Sequence, residues 1–253
     1  MATWDPRTYL RHADERSRPF AELIDRIDVD ATAVVDLGCG LGHLMPLLRE
    51  RWPSATLHGV DSSAEMLSTA TREHAGDSLT YERADVRDWT PSEPVDVVVT
   101  NATLQWVPDH LPLLSRWQSQ ARSALALSVP GNHDEPSHVL LWKYASRAPY
   151  AEYTADVEHP RAQDAETYLA ALAAPGWRVD AWETTYLHVL HGPDPVLSWI
   201  SGTGARPVLQ ALPDKLRERF RAEYGAALRE AYPTRPYGTV LPFRRVFAVA
   251  IRD

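Results

Sequence analysis

Gly38, Gly40 and Gly42 stand at alternate positions after the apolar run Val34-Val35-Asp36-Leu37, and Asp61 closes a second run, Thr56-Leu57-His58-Gly59-Val60. Glycines in such a turn take positive φ and let backbone approach a ligand with no Cβ in the way. A helix that starts after the turn offers unpaired N–H groups and a partial positive charge. A carboxylate at the tip of the second strand accepts both hydroxyls of a ribose. A glycine turn alone is an ordinary βα connection; with Asp61 in place the pattern points to a ligand that carries adenosine. Dinucleotide sites spell G-x-G-x-x-G, which brings a pyrophosphate onto the helix end. Here the third glycine comes one residue early and Asp36 lies two residues before the first.

These residues need elements to hold them. Segments 34–37, 56–60, 79–82, 95–100 and 124–129 read as strands, and 43–51, 62–72 and 110–122 as helices between them. Ser62 or Ser63 can cap the second helix, and Glu65, three residues after Ser62, would complete a capping box with it. The order βαβαβ and onward is that of a parallel, doubly wound sheet. Ligands in such sheets sit beyond the carboxyl ends of the strands. The stretch Asn101-Ala102-Thr103-Leu104-Gln105-Trp106 follows the fourth strand, so Trp106 belongs either to the core or to a pocket wall.

The second half departs from a plain doubly wound pattern. Segments 137–147 and 164–174 read as helices inserted after strand five. Residues 177–190 form a long strand whose alternation puts Trp182, Tyr186 and His188 on one face and Leu187 and Val189 on the other. Asp194 caps a helix that has Pro195 at its first position. Ser201-Gly202-Thr203-Gly204 is a flexible link ahead of Ala205-Arg206-Pro207. Residues 212–232 carry Leu216, Phe220, Tyr224 and Leu228 in one helical stripe, and 240–251 form a last strand that pairs antiparallel at the sheet edge. Residues 5–28 read as one or two helices, with Pro19 opening the second. Arg11, Arg16 and Arg18 interrupt their apolar stripe. They are either a solvated face or part of a lid that brings Tyr9 or Arg18 to the ligand.

Composition excludes several partners. The chain has 253 residues, 26 Lys+Arg against 34 Asp+Glu, and a net charge of −8. That acidity gives no general attraction to nucleic acid or to an anionic membrane. Cys39 is the single cysteine, so no internal disulfide forms, which fits a reducing cytoplasm. No apolar run approaches the roughly 20 residues that span a bilayer, and the opening residues lack the apolar core of a signal peptide. A cytoplasmic protein with no metal is expected; the oligomeric state is left open.

Val35-Asp36-Leu37-Gly38-Cys39-Gly40-Leu41-Gly42 and Gly59-Val60-Asp61-Ser62-Ser63 resemble the first two motifs of class I S-adenosylmethionine-dependent methyltransferases. Later blocks narrow the match. Ser17-Arg18-Pro19, Leu104-Gln105-Trp106-Val107-Pro108-Asp109-His110, Pro130-Gly131-Asn132-His133-Asp134-Glu135-Pro136-Ser137, the run from Val179 to His188, Trp199-Ile200-Ser201-Gly202-Thr203-Gly204-Ala205-Arg206-Pro207 and Pro242-Phe243-Arg244-Arg245-Val246-Phe247 resemble the trans-aconitate methyltransferase family over nearly the whole chain. Leu41 stands where that family often has proline. The resemblance implies a Rossmann-like α/β fold: a seven-stranded, mostly parallel, doubly wound sheet with an antiparallel last strand. It implies one domain over 1–253, a helical lid over 1–28 and helical cap insertions at 131–175 and 192–236.

It also implies roles. S-adenosylmethionine would be held by Asp36, Gly38, Gly40, Gly42, Asp61, Ser62, Asp85, Val86 and Asn101, with Tyr9 and Arg18 near its methionine carboxylate. Asp61 would take the ribose and Asp85 the adenine amino group; Asp85 further disfavours a nicotinamide oxidoreductase. The Asn/Asp-Pro-Pro-aromatic tetrapeptide of nucleobase methyltransferases is missing at 101–104, which disfavours a nucleobase substrate. The implied reaction esterifies one carboxylate of trans-aconitate or a similar small tricarboxylic acid. Another acid or a hydroxylated metabolite is the second reading, and a non-catalytic cofactor-binding module the third.

Such a reaction needs positioning more than proton transfer. A carboxylic acid with pKa near 4 is ionised in all but about one molecule per thousand at neutral pH, so no catalytic base is expected. Bidentate clamping of the attacking carboxylate would lower its nucleophilicity, so arginine should grip the others. Arg206 and one of Arg244 and Arg245 are the candidates, because adjacent strand residues point to opposite faces. The family's pattern of arginine before an apolar-Phe pair favours Arg245. Trp106, His188, Trp199 and Thr203 are the expected substrate neighbours.

Overall fold

Short valine-rich runs flanked by turn residues become the inner parallel strands of a single sheet. The computed structural model describes residues 13–253, with side chains from residue 17 onward. Among them the strands are β1 (Ala33–Leu37), β2 (Thr56–Asp61), β3 (Leu79–Arg83), β4 (Val95–Asn101), β5 (Ala121–Pro130), β6 (Trp177–Leu190) and β7 (Thr239–Arg252). Their order is β3-β2-β1-β4-β5-β7-β6. β1 pairs in parallel with β2 and with β4, β2 with β3, and β4 with β5. β7 runs antiparallel to β5, with Ser128 opposite Phe247 and Pro130 opposite Arg245. The chain winds outward from β1 through β2 to β3, then returns to the other side of β1 at β4. That reversal opens a crevice beyond the carboxyl ends of β1 and β4, where sheets of this kind bind ligands.

The helices in order are α1 (Ala13–Asp25), α2 (Met45–Arg51), α3 (Ala64–His74), α4 (Leu111–Gln120), α5 (Pro136–Ala145), α6 (Ala151–Thr154), α7 (Ala165–Leu172), α8 (Pro195–Ser201), α9 (Arg206–Ala211) and α10 (Asp214–Ala231). The chain divides into two compact units. One comprises Asp14–Pro130, Ala162–Thr184 and Arg245–Asp253; the other includes Gly131–Arg161 and Thr185–Arg244. In the first, Val35, Leu37, Val98, Leu114, Trp117 and Leu125 are buried with Tyr168 and Leu172 of α7. Each such side chain stabilises the fold by about 1.5–3 kcal/mol relative to exposure. In the second, Leu141, Tyr150, Trp199, Phe220, Tyr224 and Leu228 form a separate helical core. There Tyr224 Oη donates to Ser137 O at 2.6 Å and Ser137 N donates to Tyr232 Oη at 3.0 Å. These bonds fix the start of α5 against α10.

Several details differ from the sequence reading. The last strand, β7, lies inside the sheet between β5 and β6 rather than at its edge. Pro19 lies inside α1 rather than opening a second helix; it is buried beside Phe20, Leu23 and Ile24, and this packing offsets its missing N–H bond. Ser63, not Ser62, caps α3, accepting from Met66 N at 3.3 Å, so Glu65 falls one place short of a capping box. Asp194 takes a left-handed conformation with φ 46° and gives no side-chain cap. Its carboxylate pairs with Arg229 instead, and its carbonyl accepts from Ser198 N at 2.9 Å. β5 begins at Ala121, directly after α4, so residues 121 and 122, expected to end the helix, are extended strand. The alternation in β6 follows expectation: Tyr186 is 4% and His188 9% exposed, whereas Leu187 is 67% exposed.

Candidate active site

The turn between β1 and α2 is tied to β2 at its first step. Gly38 N and Cys39 N both donate to Val60 O, at 2.7 and 3.0 Å. Gly38, Gly40 and Gly42 take φ of 84°, 55° and 70°, a region costly for side chains with a Cβ. Their surroundings separate three uses of glycine. A Cβ on Gly38 would lie 2.0 Å from Thr103 Oγ1, and one on Gly42 would lie 2.5 Å from Tyr81 Oη. Both positions make room for the protein's own side chains. Around a Cβ on Gly40 none of the described residues stands within 4 Å, unlike at Gly38 and Gly42.

Asp61 spans the turn and the next helix. Gly40 N donates to its Oδ2 at 2.9 Å and Ser63 N to its Oδ1 at 2.8 Å. Each carboxylate oxygen has a further lone pair, so Asp61 can still accept two hydroxyls. Burial raises its pKa, and the bonds from Ser63, Gly40 and Ser62 work the other way. Asp36, at the carboxyl end of β1, is 2% exposed, and its Oδ1 has no hydrogen-bond partner. Burial, then the charge of Asp61, pushes its pKa up to about 7. Tyr81 Oη is also buried without a partner, and burial pushes its pKa up to about 12. Cys39 is buried with its thiol pushed far upward by burial, so it is inert at neutral pH.

The carboxyl end of β4 supplies one wall. Thr100 Oγ1 donates to Leu37 O at 2.7 Å, joining β4 to the start of the glycine turn. Ala102 has φ 55°, and Gln105 Nε2 donates to its carbonyl at 2.6 Å. Trp106, in the short 3-10 turn Leu104–Trp106, is half-buried. Arg245, 5% exposed, reaches the same end: its Nε and Nη2 donate to Ser128 Oγ at 3.1 and 2.7 Å, and Nη2 also donates to Asn101 Oδ1. Arg244 points elsewhere, with Nη1 donating to Gly131 O at 3.1 Å. The expected division between the two arginines is therefore what the strand imposes.

Asp85 is gripped by Arg87, whose Nε and Nη2 donate to its two oxygens at 3.0 and 2.6 Å. The same Arg87 hydrogen bonds hold the Asp85 carboxyl below the usual range. Val86 is buried, and its carbonyl accepts from Arg116 Nη2 at 3.1 Å. Ser62 O accepts from Arg83 Nε at 3.2 Å. Arg18 is exposed and pairs with Glu22 at 2.7 Å. Tyr9 lies outside the described residues.

The helical unit holds the other expected residues. His188 lies 4.7 Å from Trp199 and 5.7 Å from Phe243, ring centroid to centroid, and Trp199 meets Phe243 edge-on at 5.6 Å. Trp199 is core at 2% exposure. Thr203 follows on the next turn, its Oγ1 donating to Trp199 O at 3.4 Å. Arg206 opens α9 at 8% exposure, its N donating to Thr203 O at 3.1 Å. Sequence reasoning missed His138. A Cβ on Gly204 would lie 2.9 Å from its Nε2, so the link before Arg206 is closed down on an imidazole. Missed too were Thr103, Ser128 and Tyr81, which reach the turn or Arg245 through space and carry no local motif. Among the described residues no acidic, histidine and cysteine group could hold a metal.

Open space at Gly40, free acceptor capacity on Asp61 and an orphaned carboxyl oxygen on Asp36 fit a ligand bearing hydroxyls and positive charge. Residues 34–123 match a family described as a methyltransferase domain. A trans-aconitate 2-methyltransferase of Streptomyces avermitilis is 49% identical over 264 residues, covering 100% of this chain and 98% of its own. One from Rhodococcus jostii is 50% identical over 254 residues, with 98% of both chains covered. Among solved structures, the plantazolicin methyltransferase BpumL, crystallised with a triazolic desmethylPZN analog and SAH, aligns at TM-score 0.56 with 13% identity over 98% of this chain and 89% of its own. The YcgJ protein from Bacillus subtilis aligns at TM-score 0.59 with 13% identity over 93% and 98%. At such identities these two show the fold alone.

Proposed function

The chain belongs to the trans-aconitate 2-methyltransferase family, and we propose that it esterifies one carboxylate of trans-aconitate, or of a similar small tricarboxylic acid, using S-adenosylmethionine. Identity near one half over the full length, together with the turn of Gly38, Gly40 and Gly42 facing Asp61, carries this reading. The cofactor, when bound, supplies an electrophilic methyl on a sulfonium.

The chain's own residues bind, orient and exclude water. Asp61 accepts the ribose hydroxyls with the lone pairs that Gly40 and Ser63 leave over. Gly40 gives the open floor, with Gly38, Gly42, Ser62 and Asn101 around it. Asp85 and Val86 serve the adenine, and Arg18 and Tyr9 the methionine end. No residue has to remove a proton, because the attacking carboxylate is already ionised at neutral pH. Rate comes from holding its oxygen in line with the methyl, about 3 Å away in a near-attack arrangement.

We assign the grip on the substrate's other carboxylates to Arg245 and Arg206, with Trp106, His188, Trp199 and Thr203 as neighbours. Arg245 donates to Ser128 and Asn101, two neutral oxygens that orient the guanidinium. Guanidinium matches a carboxylate in fork geometry, which lysine does not. The test is incubation with S-adenosylmethionine and a panel of tricarboxylic, dicarboxylic and hydroxylated acids, read by mass. A gain of one CH2 in a base-hydrolysable product from a tricarboxylic acid supports the reading. Methylation only of hydroxyl groups, or of none of the panel, overturns it.

A further inference from the structure

His138 stands third in α5, on a base that its neighbour makes rigid. Ser137 N donates to Tyr232 Oη at 3.0 Å and Ser137 O accepts from Tyr224 Oη at 2.6 Å, all within the helical unit. The backbone of His138 is tied as well, its N donating to Glu135 O at 2.9 Å. Ser137 Oγ and His138 Nδ1 lie 3.2 Å apart. Ser137 is 4% exposed, and among the described residues its hydroxyl has no other acceptor. A buried hydroxyl without an acceptor is costly, so its hydrogen goes to Nδ1. A neutral ring that accepts at Nδ1 carries its own hydrogen on Nε2. A charged ring carries one there too, so the donor at Nε2 does not depend on titration.

Nε2 faces Gly204, in the link before α9. A Cβ on Gly204 would lie 2.9 Å from Nε2 and 3.5 Å from Cδ2 of the same ring. Gly204 takes no positive φ, so its backbone does not call for glycine; the edge of the imidazole does. The link is folded into one piece. Thr203 N and Ala205 N both donate to Ile200 O, at 3.1 and 3.0 Å, and Arg206 N donates to Thr203 O at 3.1 Å. Arg206, to which a grip on the substrate is assigned above, is therefore held two residues from the spot that Nε2 faces. His133 meets the His138 ring edge-on at 6.0 Å. Among the described residues no acceptor meets Nε2.

We propose that His138 is a specificity-determining residue: its Nε2–H donates to a carboxylate oxygen of the acid, beside the grip assigned to Arg206, and so favours three carboxylates over two. This rests on the reaction assigned above. An ionised tricarboxylic acid offers only acceptors, and an imidazole N–H with no acceptor of its own complements it. The rigid base leaves little to be ordered on binding.

Steady-state kinetics of the whole chain with S-adenosylmethionine tests it. The substrates are trans-aconitate and the three dicarboxylic acids that each lack one of its carboxylates. Each acid is read by its KM or, where it is not turned over, by its competitive inhibition constant. On trans-aconitate His138→Leu should raise KM by roughly ten- to a hundredfold, the range of a hydrogen bond to a charged group, with little change in kcat. The dicarboxylic acid that lacks the carboxylate meeting Nε2 should bind the variant as it binds the wild type. His138→Gln keeps an N–H donor at similar reach and should recover most of the loss. Should His138→Leu not fold, Gly204→Ala, whose methyl covers Nε2, makes the same comparison. An equal loss on all the acids is what a merely structural role would give, and it overturns the proposal; so does His138→Gln no better than His138→Leu on trans-aconitate. A wild-type protein that methylates none of the acids rejects the reaction itself, and is told apart from normal turnover with unchanged selectivity in the variants.

Discussion

Gly40→Ala and Gly38→Ala add the same methyl two residues apart and should fail differently. At position 40 the new Cβ meets none of the described residues within 4 Å, and its folding cost is that of a left-handed φ of 55°. For an L-residue that costs roughly 1–2 kcal/mol. At position 38 the φ of 84° costs about the same, but the Cβ would also stand 2.0 Å from Thr103 Oγ1. Overpacking of that kind adds about 1–3 kcal/mol, for a total of about 2–5 kcal/mol. Thr103→Ala in the Gly38→Ala background should return part of the packing cost and leave the backbone part, because the Cβ of residue 103 still stands 2.7 Å from the new methyl. Thr103→Ala alone loses the hydroxyl's bonds to Asn101 O at 3.2 Å and to Gly38 O at 3.5 Å, about 1 kcal/mol. Ligand binding should rank the other way for position 40, because the methyl occupies the floor left for the cofactor. A tenfold loss of affinity corresponds to about 1.4 kcal/mol, and at least that is expected from Gly40→Ala. Urea midpoints give the first ranking and calorimetry the second. A folded Gly40→Ala protein that binds S-adenosylmethionine like the wild type, or a Gly38→Ala protein no less stable than Gly40→Ala, would refute the three-way division of the glycines.

Asp61→Ala should weaken S-adenosylmethionine binding far more than it changes the substrate KM, while Arg206→Ala should raise substrate KM and leave cofactor Kd nearly unchanged; equal effects on both constants would reject the assigned roles. Tyr168→Phe removes the hydroxyl that meets His110 Nε2 at 2.9 Å in the buried join of α4 and α7, so the urea midpoint should fall by the equivalent of about 1–3 kcal/mol. His138, half-buried against Gly204, is held near pKa 4 by burial and by His133. Its folded value lies below the unfolded 6.5, so the unfolded chain binds more protons and stability is lost as pH falls through the interval between them. His138→Gln should flatten the stability profile between those two values, and an unchanged slope there would count against a neutral, packed imidazole.

Much of the sheet could be read from the chain because its signals are local. Val97, Val98 and Val99 are each 0% exposed, as a run apolar on both faces requires in a parallel interior strand. The period-two alternation of β6 forecast which face holds Tyr186 and His188. Errors fell where one polar side chain had two competing local uses. Ser62 and Ser63 are both able to cap, and Asp61 decides between them by accepting Ser63 N. Asp194 looks like an N-cap beside Pro195, but Arg229 lies 35 residues on and claims its carboxylate. A charged partner across the unit outbids a neutral backbone N–H, and sequence proximity carries no sign of it.

The site was legible to the extent that it is made of backbone and turn. Three glycines and an acid at a strand tip announce a turn open to a ligand, and among the described residues the space at Gly40 is open. What spacing could not tell is that the outer two glycines serve Thr103 and Tyr81, which come from β3 and from the loop after β4. The choice between Arg244 and Arg245 shows the same limit from the other direction. Strand alternation requires that they part, and they do: Arg244 turns to Gly131 O, Arg245 to Ser128 and Asn101. Which one turns inward depends on the register of β7 against β5, where Arg245 falls opposite Pro130. A slip of one residue would exchange their faces. The antiparallel pairing of the last strand is therefore what selects the arginine that reaches the carboxyl end of β4.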